Sequence, residues 1–255
     1  MKRSQLLDEL ARRIIQIKLP HPTRVAIDGP DAAGKTRLAE ELVAPLQSYG
    51  RPVIRASIDG FHHPACIRHQ RGATSPEGYY RDSFNYQALT EFLLAPLGPH
   101  GSRQYVSAVF DYRTNSELQT PTQVAEVNAI LLFDGVFLLR PDLTGSWDFT
   151  IFVEAAFETT LARAEQRDAV LFGSTEEVRN RYEQRYIPGQ QLYFAESRPK
   201  ERAQVVLDNN DPWNPVILKA DFNRQPRAAE AVSITEYITH ELQNAPVTTN
   251  KLKGE

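Results

Sequence analysis

Gly29-Pro30-Asp31-Ala32-Ala33-Gly34-Lys35-Thr36 is a full match to the phosphate-binding loop pattern G-x-x-x-x-G-K-[ST]. The residues on either side supply the context that pattern needs. Val25-Ala26-Ile27 before it is a short apolar run with strand character. Leu38, Ala39, Leu42, Val43 and Leu46 after it recur at helical spacing. Strand, glycine-bounded loop and helix start together turn backbone N–H groups toward an anion, and the positive end of the helix adds to their field. In such a loop Gly29 and Gly34 give the backbone its freedom, and Asp31, Ala32, Ala33 and Arg37 line the same stretch. Lys35 reaches the outer phosphates and the Thr36 hydroxyl faces Mg²⁺. The expected ligands are therefore ATP and Mg²⁺.

Outward from the loop, further apolar runs lie at residues 53–58, 105–110, 129–133, 149–153 and 205–207. Several are near-continuous, as expected of strands covered on both faces. Helical patterns alternate with most of them, which predicts an α/β fold with a mainly parallel sheet and right-handed crossovers. Leu6, Leu7, Leu10, Ile14 and Ile17 mark an amphipathic helix over about 4–18, closed by Pro20 and Pro22. A last helix is expected over 228–242, followed by a polar tail. The whole reads as one domain over 1–255, its core about 24–222, with the C-terminal helix and tail at 226–255. Residues 61–78, rich in His, Pro, Arg and Gly without periodicity, read as a long loop, and loops of that length are functional or disordered.

The bulk numbers exclude some partners. A chain of 255 residues with 41% hydrophobic and 24% charged residues is ordinary for a globular protein. A net charge of −3 gives no support to nucleic acid or an anionic membrane as partner. No apolar run reaches the length of a membrane span. Asp8, Glu9, Arg12 and Arg13 interrupt what could otherwise be a leader peptide. The single cysteine, Cys66, fits a reducing compartment, and a cytoplasmic location is expected. The partner is then a small-molecule acceptor, and a homo-oligomer is compatible with this composition.

Three runs end in the same dipeptide, Asp28-Gly29, Asp59-Gly60 and Asp134-Gly135. Ligands of open parallel sheets bind at the carboxyl ends of the strands, so these carboxylates can converge on one crevice. For Asp28 alone, turn chemistry explains the pair equally well. Asp134, after the apolar Ile130-Leu131-Leu132-Phe133, suits the magnesium shell. Asp59 suits the carboxylate that orients an acceptor hydroxyl and takes its proton, with magnesium ligation or a turn cap as the alternatives. Arg163 and Arg167 lie one turn apart on a helix, and Ser174-Thr175-Glu176-Glu177 is a capping box that starts the next. Such a helix pair can close arginines over the transferred phosphoryl group. Arg179, Arg181 and Arg185 on the second helix read as a solvated face. His62, His63, Cys66 and His69 form a cluster in the long loop, but one thiolate and two adjacent histidines make poor zinc chemistry. Tyr79, Tyr80 and Phe110 are aromatics that can stack a base, although core packing serves them as well.

The phosphate loop, Asp59 followed by an aromatic, Asp82-Ser83-Phe84-Asn85, the strand ending Asp134-Gly135 and the run Leu161 to Asp168 occur in that order. Together they resemble the uridine kinase family of P-loop kinases, which includes pantothenate kinase and phosphoribulokinase relatives. Tyr182 to Pro188 and Val205 to Asn209 extend the resemblance over most of residues 24–210. It implies a three-layer P-loop sandwich with a small helical lid and ATP-dependent phosphorylation of a nucleoside 5′-hydroxyl. It implies Thr36, Asp59 and Asp134 around Mg²⁺, Lys35, Asp59, Arg163 and Arg167 as catalytic groups, and Asp59 and Asp82 on the acceptor. Apart from the resemblance, His62, Tyr79 and Phe110 are candidates for contact with the acceptor, with a plain loop or core packing as the alternative. The chain departs from the family on that acceptor side. It carries Asp59-Gly60-Phe61-His62-His63-Pro64 in place of Asp-Ser-Phe-Tyr, Phe110-Asp111-Tyr112-Arg113 in place of a Tyr-Asp pair, and Asp134 where Glu is usual. The acceptor therefore stays open between a nucleoside, pantothenate, a sugar and another small alcohol. A nucleotide-dependent regulatory ATPase is the alternative without an acceptor.

Overall fold

The structure, a computed structural model, describes residues 1–222. The helix expected over 228–242 and the tail beyond it lie outside the described residues. Among the described residues no helix is long and apolar enough to cross a membrane.

Five parallel strands make the sheet: β1 (Thr23–Asp28), β2 (Val53–Ser57), β3 (Ile130–Asp134), β4 (Phe149–Glu154) and β5 (Val205–Asp208), with an antiparallel edge strand β6 (Val216–Ala220). The spatial order is β6-β5-β4-β1-β3-β2. Strand β1 sits where the order reverses, because the chain leaves it toward β2 on one side and later crosses over to β4 on the other. That switch point places the loop after β1 at the crevice of the carboxyl edge.

The near-continuous apolar runs have their expected cause. Val25 and Ile27 of β1 pack with Leu6, Leu10 and Ile14 of α1 (Arg3–Gln16) and Leu38 and Leu42 of α2 (Lys35–Ser48). Ala26 of the same strand faces Phe61, Phe133, Phe137 and Tyr193 on the opposite side. The leucines and isoleucine of α1 are fully buried, which stabilises by roughly 1.5–3 kcal/mol each. Helices thus cover both faces and make three layers.

The run 105–110 is not a strand of this sheet. It contributes Gln104–Tyr105 and Phe110–Asp111 to two separate two-residue ladders, with Gln123–Val124 and Ser116–Glu117. Only its two ends, Tyr105 and Phe110, are buried, so no apolar face was available to enter a doubly covered sheet. The segment instead crosses the turn that follows β2, where the Val109 N–H donates to the Gly60 carbonyl at 2.8 Å. Strand β6 escaped the sequence reading. Its residues alternate exposed and half-buried at the edge, next to Pro215, so neither its apolarity nor its flanks mark it.

Beyond the sheet, α4 (Phe157–Phe172) ends at Gly173, whose φ is +95°. Ser174 then caps α5 (Thr175–Arg181), its Oγ accepting from the Glu177 N–H at 3.1 Å. A single π-type turn over Tyr182–Tyr186 joins α5 to α6 (Ile187–Ser197). Ala164, Val178 and Tyr182 of this helical pair pack with Ala32 of the phosphate loop, so the lid rests on the loop itself.

Candidate active site

Registers across the central strands align the carboxyl ends. Ile27 of β1 and Ser57 of β2 both pair with Asp134 of β3. Asp28 and Asp134 therefore end adjacent strands, while Asp59 lies one turn further on, in the 3₁₀ segment Ile58–Phe61. Its N–H approaches the Ser57 Oγ at 3.4 Å.

The loop is shaped by two positions. Gly29 has φ +150°, and a Cβ there would meet the Val153 carbonyl oxygen at 2.2 Å. Gly34 has φ +98°, and a Cβ would meet Asn209 Nδ2 at 2.7 Å. Neither site admits a side chain, so backbone amides line the cradle. Ala32 between them has φ +57°, a left-handed conformation that costs an L-residue about 1–2 kcal/mol. Strain of this kind collects at ligand-holding loops. Lys35 and Thr36 stand in the first turn of α2, whose N–H groups have no intrahelical acceptor.

Lys35 is buried, and its Nζ donates to the Pro30 carbonyl at 2.6 Å. Burial pulls its proton affinity down, and the carboxylates of Asp31, Asp28, Asp134 and Asp59 pull it back. One ammonium is thus surrounded by four acids. Asp28 is wholly buried and accepts from the Gly29 N–H at 2.7 Å, the Leu139 N–H at 3.1 Å and the Tyr193 hydroxyl. It ties the loop to two other segments. Burial pushes its carboxyl up to about 6 against those donors and Lys35. Asp31 is held by the Tyr79 hydroxyl at 2.5 Å and by Gln190, whose Oε1 also accepts from the Asp31 N–H at 2.9 Å.

The Thr36 hydroxyl donates to Asp134 Oδ2 at 2.6 Å. Because the hydroxyl donates here, both lone pairs of Thr36 Oγ1 stay available to a cation. The other Asp134 oxygen meets Arg55 Nη2 at 2.7 Å, and Arg55 Nη1 donates to the Leu132 carbonyl. Among the described residues no group of three His, Cys, Asp or Glu could hold a metal ion by itself. Magnesium does not require one, since it is usually held by one or two carboxylates plus substrate phosphates. The hydroxyl and the acid beside the cradle fit that mode.

Asp59 is open to solvent at the mouth of the cleft, yet protein surrounds most of its side chain. That burial, then Asp31, push its carboxyl up to about 6, with Lys35 and Arg167 opposing. Among the described residues its carboxylate accepts no hydrogen bond, unlike those of Asp28, Asp31 and Asp134, so it is open to receive a hydroxyl.

The two lid arginines diverge. Arg163 reaches the carbonyls of Asn209 at 2.8 Å, Asn210 at 2.9 Å and Ala32 at 3.5 Å, so it braces the loop from outside. Arg167 is exposed and paired with Asp168 at 2.6 Å, while its field reaches Asp59. Arg37 pairs with Glu41 and lies over the Trp213 ring, outside the cradle. Tyr79 is a core residue that orients Asp31, packed edge-on to Phe137 and Tyr186. Phe110 is buried in its small ladder. Asp82 is tied to Arg71 at 2.8 Å. His62 stacks on Tyr112 and meets the edge of Phe84, and burial draws its proton affinity down to about 3, so it is neutral.

Arg179 and Arg181 are exposed and paired with Glu165 and Glu177, as a solvated face requires. Arg185 is not. It is 9% exposed and stacks over Tyr79 and Tyr186, because the π-type turn rotates it inward relative to the α5 face. Arg55 also escaped the sequence reading. A charged residue inside the run Val53 to Ser57 was its signal, overshadowed by the apolar pattern around it.

Solved structures with the same architecture are known. A possible uridine kinase from Bacillus stearothermophilus aligns over 80% of this chain and 97% of its own, at TM-score 0.63 and 22% identity. A putative fructose transport system kinase from Silicibacter aligns over 75% and 95%, at TM-score 0.64 and 21% identity. The chain has the uridine kinase-like P-loop kinase fold. A D-glycerate 3-kinase from Cryptococcus neoformans aligns over 73% of this chain and 88% of its own, at TM-score 0.50 and 14% identity. No family model and no curated protein matches the sequence. Within this fold the phosphate loop and Asp134 lie at adjacent strand ends, with Asp59 one turn beyond the next, and the three solved structures are named for different acceptors.

Proposed function

We propose that this chain is an ATP-dependent kinase that phosphorylates an alcohol group of a small molecule. The observation that carries the reading is that Asp59 follows the end of β2, whose Ser57 pairs with Asp134, and lies within the field of both Lys35 and Asp134. Lys35 and the loop amides hold triphosphate charge. Thr36 and Asp134 hold Mg²⁺, which when bound neutralises charge on the transferred group. The Asp59 carboxylate orients the acceptor hydroxyl and takes its proton as the oxygen attacks the γ-phosphorus and the bond to the bridging oxygen breaks, leaving ADP. Arg167 is placed to leave Asp168 and approach the transferred phosphoryl, and Arg163 keeps the loop in register.

Asp134→Asn tests the metal assignment. An amide must present a donor to either the Thr36 hydroxyl or Arg55, both donors themselves. The Mg²⁺ concentration needed for half-maximal ATP binding is expected to rise about 10–100-fold, read by calorimetry at fixed ATP. An unchanged magnesium requirement would put the ion elsewhere.

For the acceptor, the sequence resemblance implies the 5′-hydroxyl of uridine or cytidine. A second reading, another small alcohol such as pantothenate or a sugar-like acid, is favoured by Asp82. In the nucleoside reading that acid meets the ribose hydroxyls, whereas here Arg71 already occupies it. ATP consumption with nucleosides, sugars and hydroxy-acids separates these readings. Turnover that needs no acceptor would replace both with a regulatory ATPase. The free, exposed Cys66 suits the cytoplasmic location expected from the sequence.

A further inference from the structure

The acceptor side holds two positive charges with nothing opposite them. Arg185 is 9% exposed, donates to the main-chain oxygens of Ala73 and Arg68, and leaves its buried Nε without a partner. Arg68 is half-buried at the end of the short helix Ala65–Arg68, and its buried Nε is unpartnered as well. Neither has a carboxylate within ion-pair distance among the described residues, although Arg71, Arg81 and Arg181 nearby all do. Burial lowers the proton affinity of both, and the Arg185 charge lowers that of Arg68 further, as expected with the Arg185 fork 3.4 Å from the Arg68 carbonyl.

Folding two like charges together in a partly desolvated place is unfavourable unless something negative completes it. The protein does not supply that charge. Asp31, the nearest acid on the loop side, is occupied by Tyr79 and Gln190. Asp82 is occupied by Arg71. The histidines of the same loop, His62, His63 and His69, are all held toward the neutral form, by burial first. They surround the arginines without adding charge.

The position matters as much as the charge. Arg185 lies over Tyr79, the residue that orients Asp31 of the phosphate loop. Arg68 acts on His62, three residues beyond Asp59 in the same turn and loop. The pair therefore stands beside both the segment that carries Asp59 and the tyrosine that holds Asp31, where an acceptor with its hydroxyl on Asp59 would extend.

We propose that Arg68 and Arg185 form an anion-binding subsite for a carboxylate or phosphate group carried by the acceptor, so that the substrate is an acidic small alcohol. This rests on the kinase reading above. Guanidinium forks suit either anion, since both present paired oxygens.

The test compares acids with their neutral counterparts: glycerate against glycerol, and ribose 5-phosphate against ribose, with uridine included. Binding is measured by calorimetry on the full chain, and turnover is measured where it occurs. The expected result is binding of at least one acid with no measurable binding of its neutral partner. Glycerate against ribose 5-phosphate then tells carboxylate from phosphate. In Arg68→Gln the acid's affinity, or its KM where turnover occurs, is expected to weaken about 10–100-fold, the range for a lost hydrogen bond between charged groups. Arg185→Lys, which keeps the charge but loses the fork, is expected to weaken it less than Arg185→Gln. Among the described residues the Arg68 side chain makes no hydrogen bond, so its variant remains interpretable if Arg185→Gln does not fold. Mg·ATP affinity, measured in parallel, separates the two failures. Loss of ATP binding in the wild type removes the kinase reading. Intact ATP binding with uridine preferred, or with no acid bound, or with acids and neutral compounds equally affected by Arg68→Gln, overturns the subsite alone.

Discussion

Asp59→Asn is expected to lower kcat by about 10²–10⁴-fold while Mg·ATP affinity stays near wild type. The carboxylate belongs to the turn after β2 and not to the phosphate loop, so the triphosphate keeps its loop contacts. What disappears is the group that orients the hydroxyl and receives its proton. An ordinary aspartate is a weak base toward an alcohol, but here burial and Asp31 raise its carboxyl from 3.8 to about 6. A proton acceptor closer to working pH transfers more effectively. The group works only when ionised, so kcat/KM should rise with pH up to about 6 and level above it. The variant should lack that limb.

The same shift has a stability consequence of known sign. A carboxyl whose folded pKa lies above its unfolded value is destabilising while ionised, and that penalty fades as pH falls from above 6 toward 4. Asparagine carries no charge at any pH. Asp59→Asn should therefore melt higher than wild type at pH 7.5, with the gap closing on acidification. Wild-type turnover in the variant would remove Asp59 from the chemistry, whatever its melting point.

Lys35→Met is expected to weaken Mg·ATP binding by at least about 100-fold and to reduce kcat by about 10²–10³-fold, the scale for losing one preorganised charge-stabilising group. The structure makes this residue more than a phosphate contact. Its ammonium is the cation that Asp31, Asp28, Asp134 and Asp59 all act upon. Without it these acids form a negative patch where the triphosphate must enter. The proton affinities of Asp28 and Asp59 should both climb further, because Lys35 is among the influences that hold them down. Carboxyl NMR titration of the variant reads this directly, with both acids moving upward from about 6. ATP affinity within a few-fold of wild type would mean that the nucleotide is held elsewhere.

Legibility followed the range of the interaction involved. The phosphate loop, α1, α2 and five parallel strands declare themselves locally, through glycines at fixed spacing and through apolar residues repeating along a helix or filling a doubly covered strand. The N-cap at Ser174 is equally local. The run 105–110 misled because apolar composition does not say whether a partner strand exists, and β6 was missed because a half-exposed edge strand leaves little composition to detect.

What the chain alone determined is the donor side: an anion cradle, its lysine, its threonine and the acids that end the neighbouring strands. Each needs only a strand, a turn and a helix in succession. Tertiary structure decided what those acids do. It tied Asp28 to Leu139 and Tyr193, Asp134 to Arg55, Asp31 to Tyr79 and Gln190, and Asp82 to Arg71, leaving Asp59 open. It also brought Arg185 beside Arg68, more than a hundred residues away, with neither paired to an acid among the described residues. Charge pairing over such separations depends on which side chains the fold brings within a few ångströms, and no local pattern records that.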